Sequence, residues 1–468
     1  MADGDSSRRI TALRERVLGE RRLVRLLLSL AAPLMVSTSI SAVYEIVDTF
    51  WLSRLGPAAL STPTVSWPFR GILMSIAFGV VASASSLVGQ YVGARDYRMA
   101  SRSAGSVMGL LLLILVPGSL AFIALEGGYA RLTRLPPDIR PLALEYLRVL
   151  LAVTPLSGIN ILFFTSIGAL GDTKTPMKLS LLSTILNFVL DPILIFWAHL
   201  GVLGAALATA ASIAASSSYA IYSFATGRHG LRIGIRDLVP DRRLVPLIAR
   251  ISTPVVAQQL GTSLGFVTMI RIVSGLGTPV VAAYSIGQVV LSFDRVIVMP
   301  INRATSIVVA QALGAEMRRR ALEAARKGMG LIMLSAGSYV ALLLTISGPF
   351  IGVFTHDPFT TAAAERMLVI FGPSIVFFGV FMLSNSIARG SGHTLYMAVV
   401  SLARLWLLRI PLSWLLAYAA SLGDTGLWIG MALSNYAAGL LGAAWVLRGR
   451  WAEAVIRRAR PREALVHA

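Results

Sequence analysis

The chain has no cysteine, which excludes disulfides and thiolate metal sites. Its five histidines are scattered, mostly at predicted helix ends, and give no metal-binding spacing. Lysine occurs only as Lys174, Lys178 and Lys327, none behind a glycine-rich loop, so there is no GxxxxGK[ST] motif and no usual ATP site. Charge of either sign is scarce, at 14% of 468 residues. A soluble domain of this length needs far more polar surface.

Apolar residues fill that space: 56% of the chain is hydrophobic and the mean hydropathy is +0.74. Twelve runs are long enough to cross about 30 Å of hydrocarbon. They lie near 26–53, 62–88, 103–125, 142–167, 177–198, 202–224, 247–275, 279–311, 328–350, 366–388, 395–419 and 425–447. Each is predicted helical, because a backbone in lipid must satisfy its own hydrogen bonds. The expected fold class is therefore an all-α integral membrane protein with twelve transmembrane helices. The first run follows about 25 Arg-rich residues and is too long for a signal-peptide core, so no cleavable signal is expected.

The net charge of +20 is topology rather than a nucleic-acid footprint. With the N-terminus placed inside, 30 of the 42 Lys and Arg fall in inside segments and five in outside loops. That bias predicts a multi-pass plasma-membrane protein with both termini cytoplasmic, and no nucleic-acid partner.

A repeat runs through the chain at an offset of 221 residues. Pro33 matches Pro254, Leu55-Gly56 matches Leu276-Gly277, "GQYVGA" answers "AQALGA", and "GDT" at 171–173 falls on "GHT" at 392–394. Each half thus holds six helices, and an even number keeps the orientation, so the repeats are parallel and related by an axis along the membrane normal. The expected organisation is a cytoplasmic segment 1–25, an N-terminal lobe 26–224, a linker 225–246, a C-terminal lobe 247–447 and a cytoplasmic tail 448–468. Two pseudo-symmetric six-helix lobes with a cleft between them suit alternating access driven by an ion gradient.

The stretches "LAAPLMVSTSISAVYEIVDTFWLSRLG", "VGQYVGA", "GALGDTKTPM" and "LNFVLDPILIF" resemble the multidrug and toxin extrusion (MATE) family over nearly the whole chain, with closest similarity to its prokaryotic DinF-like branch. The resemblance implies a cation site in the N-terminal lobe formed by Asp48, Asn187, Asp191 and Thr209. It also implies that Pro33 is the bending point of the first span and that Tyr44 and Tyr146 border the site. A NorM-type acid site in the second lobe is not expected, because 247–275 and 366–388 contain no Asp or Glu.

Spacing agrees with that site. Asn187 and Asp191, at i and i+4, share one helix face. Asp191 precedes the predicted turn at Leu200-Gly201 and Thr209 follows it, each about 12–14 Å away. Pro192 lacks an N–H and leaves the Phe188 carbonyl without its helical partner, an oxygen suited to a hard cation. Plainer roles exist: helix–helix hydrogen bonds for Asn187 and Thr209, an interfacial aromatic for Tyr146, a simple kink for Pro33. Two carboxylates without a counter-charge favour proton or cation binding. Protonated carboxylates and a sodium cage use the same oxygens, so H⁺ and Na⁺ both stay open as coupling ion, with no cofactor needed.

The resulting expectation is a monomeric, non-enzymatic antiporter exporting small amphipathic, cationic molecules through the bilayer. Its cavity is expected to be lined by methionines such as Met35, Met177, Met269 and Met382. In the second half, Asp294 is expected to pair with Arg409, while Arg271, Arg295, Arg303 and Arg404 stay unexplained. They support an alternative, a flippase or exporter of anionic lipid-linked substrates with a cationic cleft.

Overall fold

The computed structural model describes residues 2–133, 135–355 and 357–456, with the side chains of 2–7, 45, 46 and 291–295 outside the description. Every regular element within it is helical. The first half runs α1 (Ala2–Gly19), α2 (Leu23–Ser53), α3 (Pro57–Gly93), α4 (Tyr97–Leu132), α5 (Arg140–Ala152), α6 (Thr154–Ala169), α7 (Lys174–Pro192) and α8 (Gly201–Thr226). The second runs α9 (Val245–Ser274), α10 (Thr278–Gly314), α11 (Arg318–Thr345), α12 (Ser347–Gly352), α13 (Pro358–Phe371), α14 (Ser374–Ser391), α15 (Thr394–Leu402), α16 (Ile410–Trp414) and α17 (Gly423–Arg448).

Nine helices among the described residues are long and apolar enough to cross a membrane. Two bent pairs bring the number to eleven: α5 with α6 turns by 49°, and α13 with α14 by 55°. Helix α9 stands in the second half as the repeat partner of α2. Proline stands at or beside both breaks, as Pro155 and Pro373, where its missing N–H ends one ladder and its fixed φ starts the next.

The backbone follows the repeat residue by residue. Left-handed φ recurs at Gly56 and Gly277, Arg95 and Glu316, and Gly171 and Gly392, each pair 221 apart. Beyond Gly392 the offset becomes 222, pairing His199 with Ser421, Gly201 with Gly423 and Gly227 with Gly449. The extra residue is accommodated where Ala403–Arg409 is π-helical, while the stretch Ile193–Trp197 has its own π counterpart in Leu415–Ala419. A single-residue insertion in a buried helix is absorbed as a π-bulge, because looping it out would strand backbone polar groups in lipid.

The halves close on each other at the face that carries α1 and residues 449–456. Gln90 donates to the Ser391 carbonyl at 3.0 Å, and its repeat partner Gln311 donates to the Ala169 carbonyl at 2.7 Å. Gly93 and Gly314 let the two backbones meet: a methyl at Gly93 would overlap the Gln311 carbonyl, and one at Gly314 the Gln90 carbonyl.

Helix α1, for which the sequence reading assigned only a cytoplasmic segment, lies across this seam. Ile10, Leu13 and Val17 form an apolar stripe at helical spacing. Ile10 packs into the core of the first half, and Val17 into the cluster shared by α2, α10 and α11. Arg14 donates twice to the Gly93 carbonyl, at 3.0 and 2.9 Å, and Arg320 of α11 donates to the carbonyls of Val17 and Glu20, each at 2.8 Å. The C-terminal segment joins in: the Val455 amide donates to Gln90 Oε1 at 2.9 Å.

Arg9 anchors α1 to Asp172 at 3.0 Å, and Asp172 in turn caps α7 through the Thr175 amide at 3.0 Å. Beside this pair His229 is buried, with Nε2 2.9 Å from the Tyr219 hydroxyl. Burial, then the neighbouring Arg9, holds its pKa below the ordinary 6.5. A base whose folded pKa is depressed binds fewer protons folded than unfolded, so stability rises with pH across this window and falls on acidification. Thermal unfolding of wild type between pH 8 and 5 should show that loss, and His229→Gln should flatten it. An unchanged profile in the variant would remove His229 as the cause.

Candidate functional site

Four helices bring the predicted acids and their partners together. Asn187 and Asp191 sit on one face of α7, 2% and 0% exposed, facing Thr209 of α8. Turned so that its nitrogen meets the carboxylate, the Asn187 amide donates to Asp191 Oδ2 at 2.9 Å and its oxygen accepts from the Thr209 N–H at 3.1 Å. From α2, the Tyr44 hydroxyl lies 3.2 Å from Thr209 Oγ1. Asp48, one turn further along α2 and only partly buried, is close enough to Asp191, Tyr44 and Tyr146 to interact with them electrostatically. Tyr146 of α5 is 6% exposed and packs in the apolar cluster of Leu52, Ile195 and Val202.

One oxygen stands out. Asp191 Oδ1 is buried and has no hydrogen-bond partner among the described residues. An unsatisfied buried carboxylate oxygen costs free energy until a proton or a cation occupies it.

The sequence reading missed Arg70. It donates to Thr154 Oγ1 at 3.3 Å and Ser157 Oγ at 3.0 Å in the first turn of α6, just past the α5–α6 break, and it interacts electrostatically with Tyr146 and Tyr44. The carboxylates therefore do have a basic residue nearby, one tyrosine away, although no ion pair between them forms among the described residues. Its signal was available: an arginine in the apolar run 62–88 with no acid on its own helix.

Two expected cavity residues are not brought to the site. Met35 packs against the cluster that joins α2 to α10 and α11. Met177 is at the opposite end of α7 from Asp191, about 21 Å away along the helix. Pro33, expected as a bending point, is buried inside α2, about 22 Å from Asp48. Met269 is fully buried in a core cluster rather than lining a cavity. The expected Asp294–Arg409 pair lies outside the described residues, as does the side chain of Glu45.

The second half carries the opposite polarity at the matching place. With the offset of 222, Asn187 corresponds to Arg409 and Asp191 to Ser413. Arg409 donates to Ser434 Oγ at 3.0 Å, to Asn435 Oδ1 at 2.6 Å and to the Met431 carbonyl at 3.4 Å, and Met431 is the counterpart of Thr209. Arg404 donates to the same Asn435 oxygen at 3.2 Å and lies over the rings of Phe378 and Phe381. Each is 5% exposed, and neither has a carboxylate partner among the described residues.

The MatE family profile matches residues 33–193 and again 254–415, once in each half. The chain belongs to the MATE family. It is 26% identical over 406 residues to the probable multidrug resistance protein YoeA of Bacillus subtilis, covering 85% of this chain and 88% of that one. It is also 26% identical over 449 residues to the probable multidrug resistance protein NorM of Thermotoga maritima, covering 93% and 95%. An FAD transporter of Shewanella oneidensis is 25% identical over 422 residues, covering 89% and 92%. Among solved structures, a MOP superfamily transporter from Pyrococcus furiosus superposes with a TM-score of 0.86 at 24% identity, covering 94% of this chain and 97% of that one. At that identity the superposition establishes the fold alone. This MATE chain is accordingly a multi-pass membrane transporter of the multidrug-efflux family and not an enzyme.

Proposed function

We propose that this MATE transporter exports small amphipathic, cationic molecules by antiport with H⁺ or Na⁺, needing no cofactor. The observation that carries this reading is Asp191 Oδ1, buried and without a partner among the described residues, with the Asp48 carboxylate beside it. In our reading Asp48, Asn187, Asp191 and Thr209 hold the coupling ion, and Tyr44 and Tyr146 form the wall between it and substrate. Both termini lie in the cytoplasm, so the face closed by Gln90, Gln311 and α1 is cytoplasmic and the cleft opens outward. One chain supplies both lobes of the cleft, and the protein works as a monomer in the plasma membrane. Proteoliposomes with separately imposed H⁺ and Na⁺ gradients test the coupling. Efflux of a cationic dye should follow one of them, and efflux indifferent to both would overturn the antiport.

A second reading, export of anionic or lipid-linked anionic substrates, is favoured by Arg409 standing where the first half has Asn187, with Arg404 on the same Asn435 oxygen. The relative described as an FAD transporter handles a molecule that carries phosphates. Two buried guanidiniums without a carboxylate partner among the described residues carry an uncompensated desolvation cost, which apolar groups of similar volume remove. Arg404→Met with Arg409→Met should therefore raise the melting temperature in detergent. If anions are the cargo, it should also abolish their transport while sparing cationic dyes. A less stable double variant would show instead that these arginines hold the fold together.

A further inference from the structure

A basic groove of about 790 Å³ opens between the start of α2 and the outer face of α11, away from the acids and from the second-half arginines. Arg21, Arg22 and Arg25 line one wall, and Lys327 with Glu323 the other. Val24, Leu28 and Ser29 form the floor. All four cations are exposed, and none joins an ion pair or a side-chain hydrogen bond among the described residues. The nearby Glu20 carboxylate accepts from the Arg22 backbone amide at 3.0 Å and so leaves the arginine heads free. Arg16 closes one edge, donating to Ser29 Oγ at 3.1 Å.

The groove's position narrows its ligand. Val24 and Leu28 are 38% and 42% exposed on a helix that crosses the membrane, so they face lipid. On α11 the face bearing Lys327 continues two turns on to Leu334, 68% exposed on a second membrane-spanning helix. Charge at the mouth therefore runs into an apolar seam between two spans. A soluble phosphate would use the mouth and leave the seam unfilled. A molecule with a phosphate head and acyl chains matches both parts.

We propose that this groove binds the phosphate headgroup of an anionic glycerophospholipid, with its acyl chains along the α2–α11 seam. Because α2 belongs to the first half and α11 to the second, the bound lipid bridges the halves beside the closed face. It ties Arg21, Arg22 and Arg25 to Lys327, which no hydrogen bond or ion pair among the described residues does.

The test uses full-length protein in phosphatidylcholine vesicles doped with spin-labelled phosphatidylglycerol or spin-labelled phosphatidylcholine, and reads the immobilised fraction of each. Wild type should prefer phosphatidylglycerol. In the triple variant Arg21→Gln, Arg25→Gln, Lys327→Gln that preference should fall, by about fivefold per removed cation. Arg236→Gln, Arg242→Gln, Arg243→Gln removes the same charge from exposed linker positions and should keep the wild-type preference. Glu323→Gln, which removes the only acid in the wall, should raise it, so the proposal stays exposed even if the triple variant misfolds. An unchanged triple variant, or an equal fall in the linker control, would overturn the site. Displacement of the labelled lipid by glycerol 3-phosphate would overturn the lipid assignment in favour of a soluble phosphate.

Discussion

Asp191→Asn and Asp48→Asn proteins should fold, insert and lose gradient-driven export. The amide keeps the volume of the carboxylate and can still accept from Asn187, so packing around α7 and α8 survives. What it loses is the ionisable oxygen. In the proposed cycle, H⁺ on either acid, or Na⁺ bridging both, removes their mutual repulsion and lets α2 close on α7. The Tyr44–Thr209 contact ties that movement to α8. Substrate entry then favours ion release by the same coupling free energy, as linkage requires. Coupling of ordinary size changes affinity by about 5- to 150-fold, so export at matched expression should fall within or beyond that range. Dye efflux from energised vesicles is the measurement. Wild-type efflux in either variant would show that its carboxylate does not couple transport to the ion.

Gly93→Ala and Gly314→Ala should both open the face that carries α1 and residues 449–456. An added methyl at either position meets backbone atoms of the other half, Gln311 for the first and Gln90 for the second, and backbone cannot swing aside as a flexible side chain can. Overpacking of this kind costs about 1–3 kcal/mol, charged only to the closed arrangement. The equilibrium moves toward the open one by that amount, and 1.4 kcal/mol is about tenfold in population. The chain has no cysteine, so one introduced thiol reports the change without background. Ser391 is buried at the seam with its carbonyl held by Gln90, and Ser391→Cys should react slowly with a polar maleimide in the parent. Labelling should accelerate about tenfold or more when Gly314→Ala is added. An equal rate in both proteins would mean that this seam does not separate during conformational change.

Much of the fold was legible because lipid restricts the choice. Apolar runs of the right length have to be helices, and the four motif matches at an offset of 221 give two like halves. The acid cluster was legible for a similar reason: Asp48 and Asp191 are rare residues in apolar runs, and counting from the turn puts Asp191 and Thr209 at one depth. The methionines were not legible. Met35 and Met177 lie on the correct helices, yet composition carries no information about height along a helix or which neighbour a face meets. The seam-crossing role of α1 was half legible: the stripe Ile10, Leu13, Val17 is readable, while the surface it covers exists only after both halves have met.

By itself the sequence determined the membrane class, the parallel repeat and the acids of the first half, because hydropathy, charge bias and internal similarity are properties of the chain alone. Only the tertiary structure decided that Arg70 stands near those acids, that Asp191 Oδ1 has no donor among the described residues, and that Arg409 occupies the place of Asn187. The physical reason lies in one residue. At 221 the repeat aligns Asn187 with Leu408, an ordinary lipid-soluble side chain; the π-helical insertion at Ala403–Arg409 advances the register to 222 and turns a guanidinium inward. How a helix absorbs an extra residue depends on what surrounds it, and that is settled by packing.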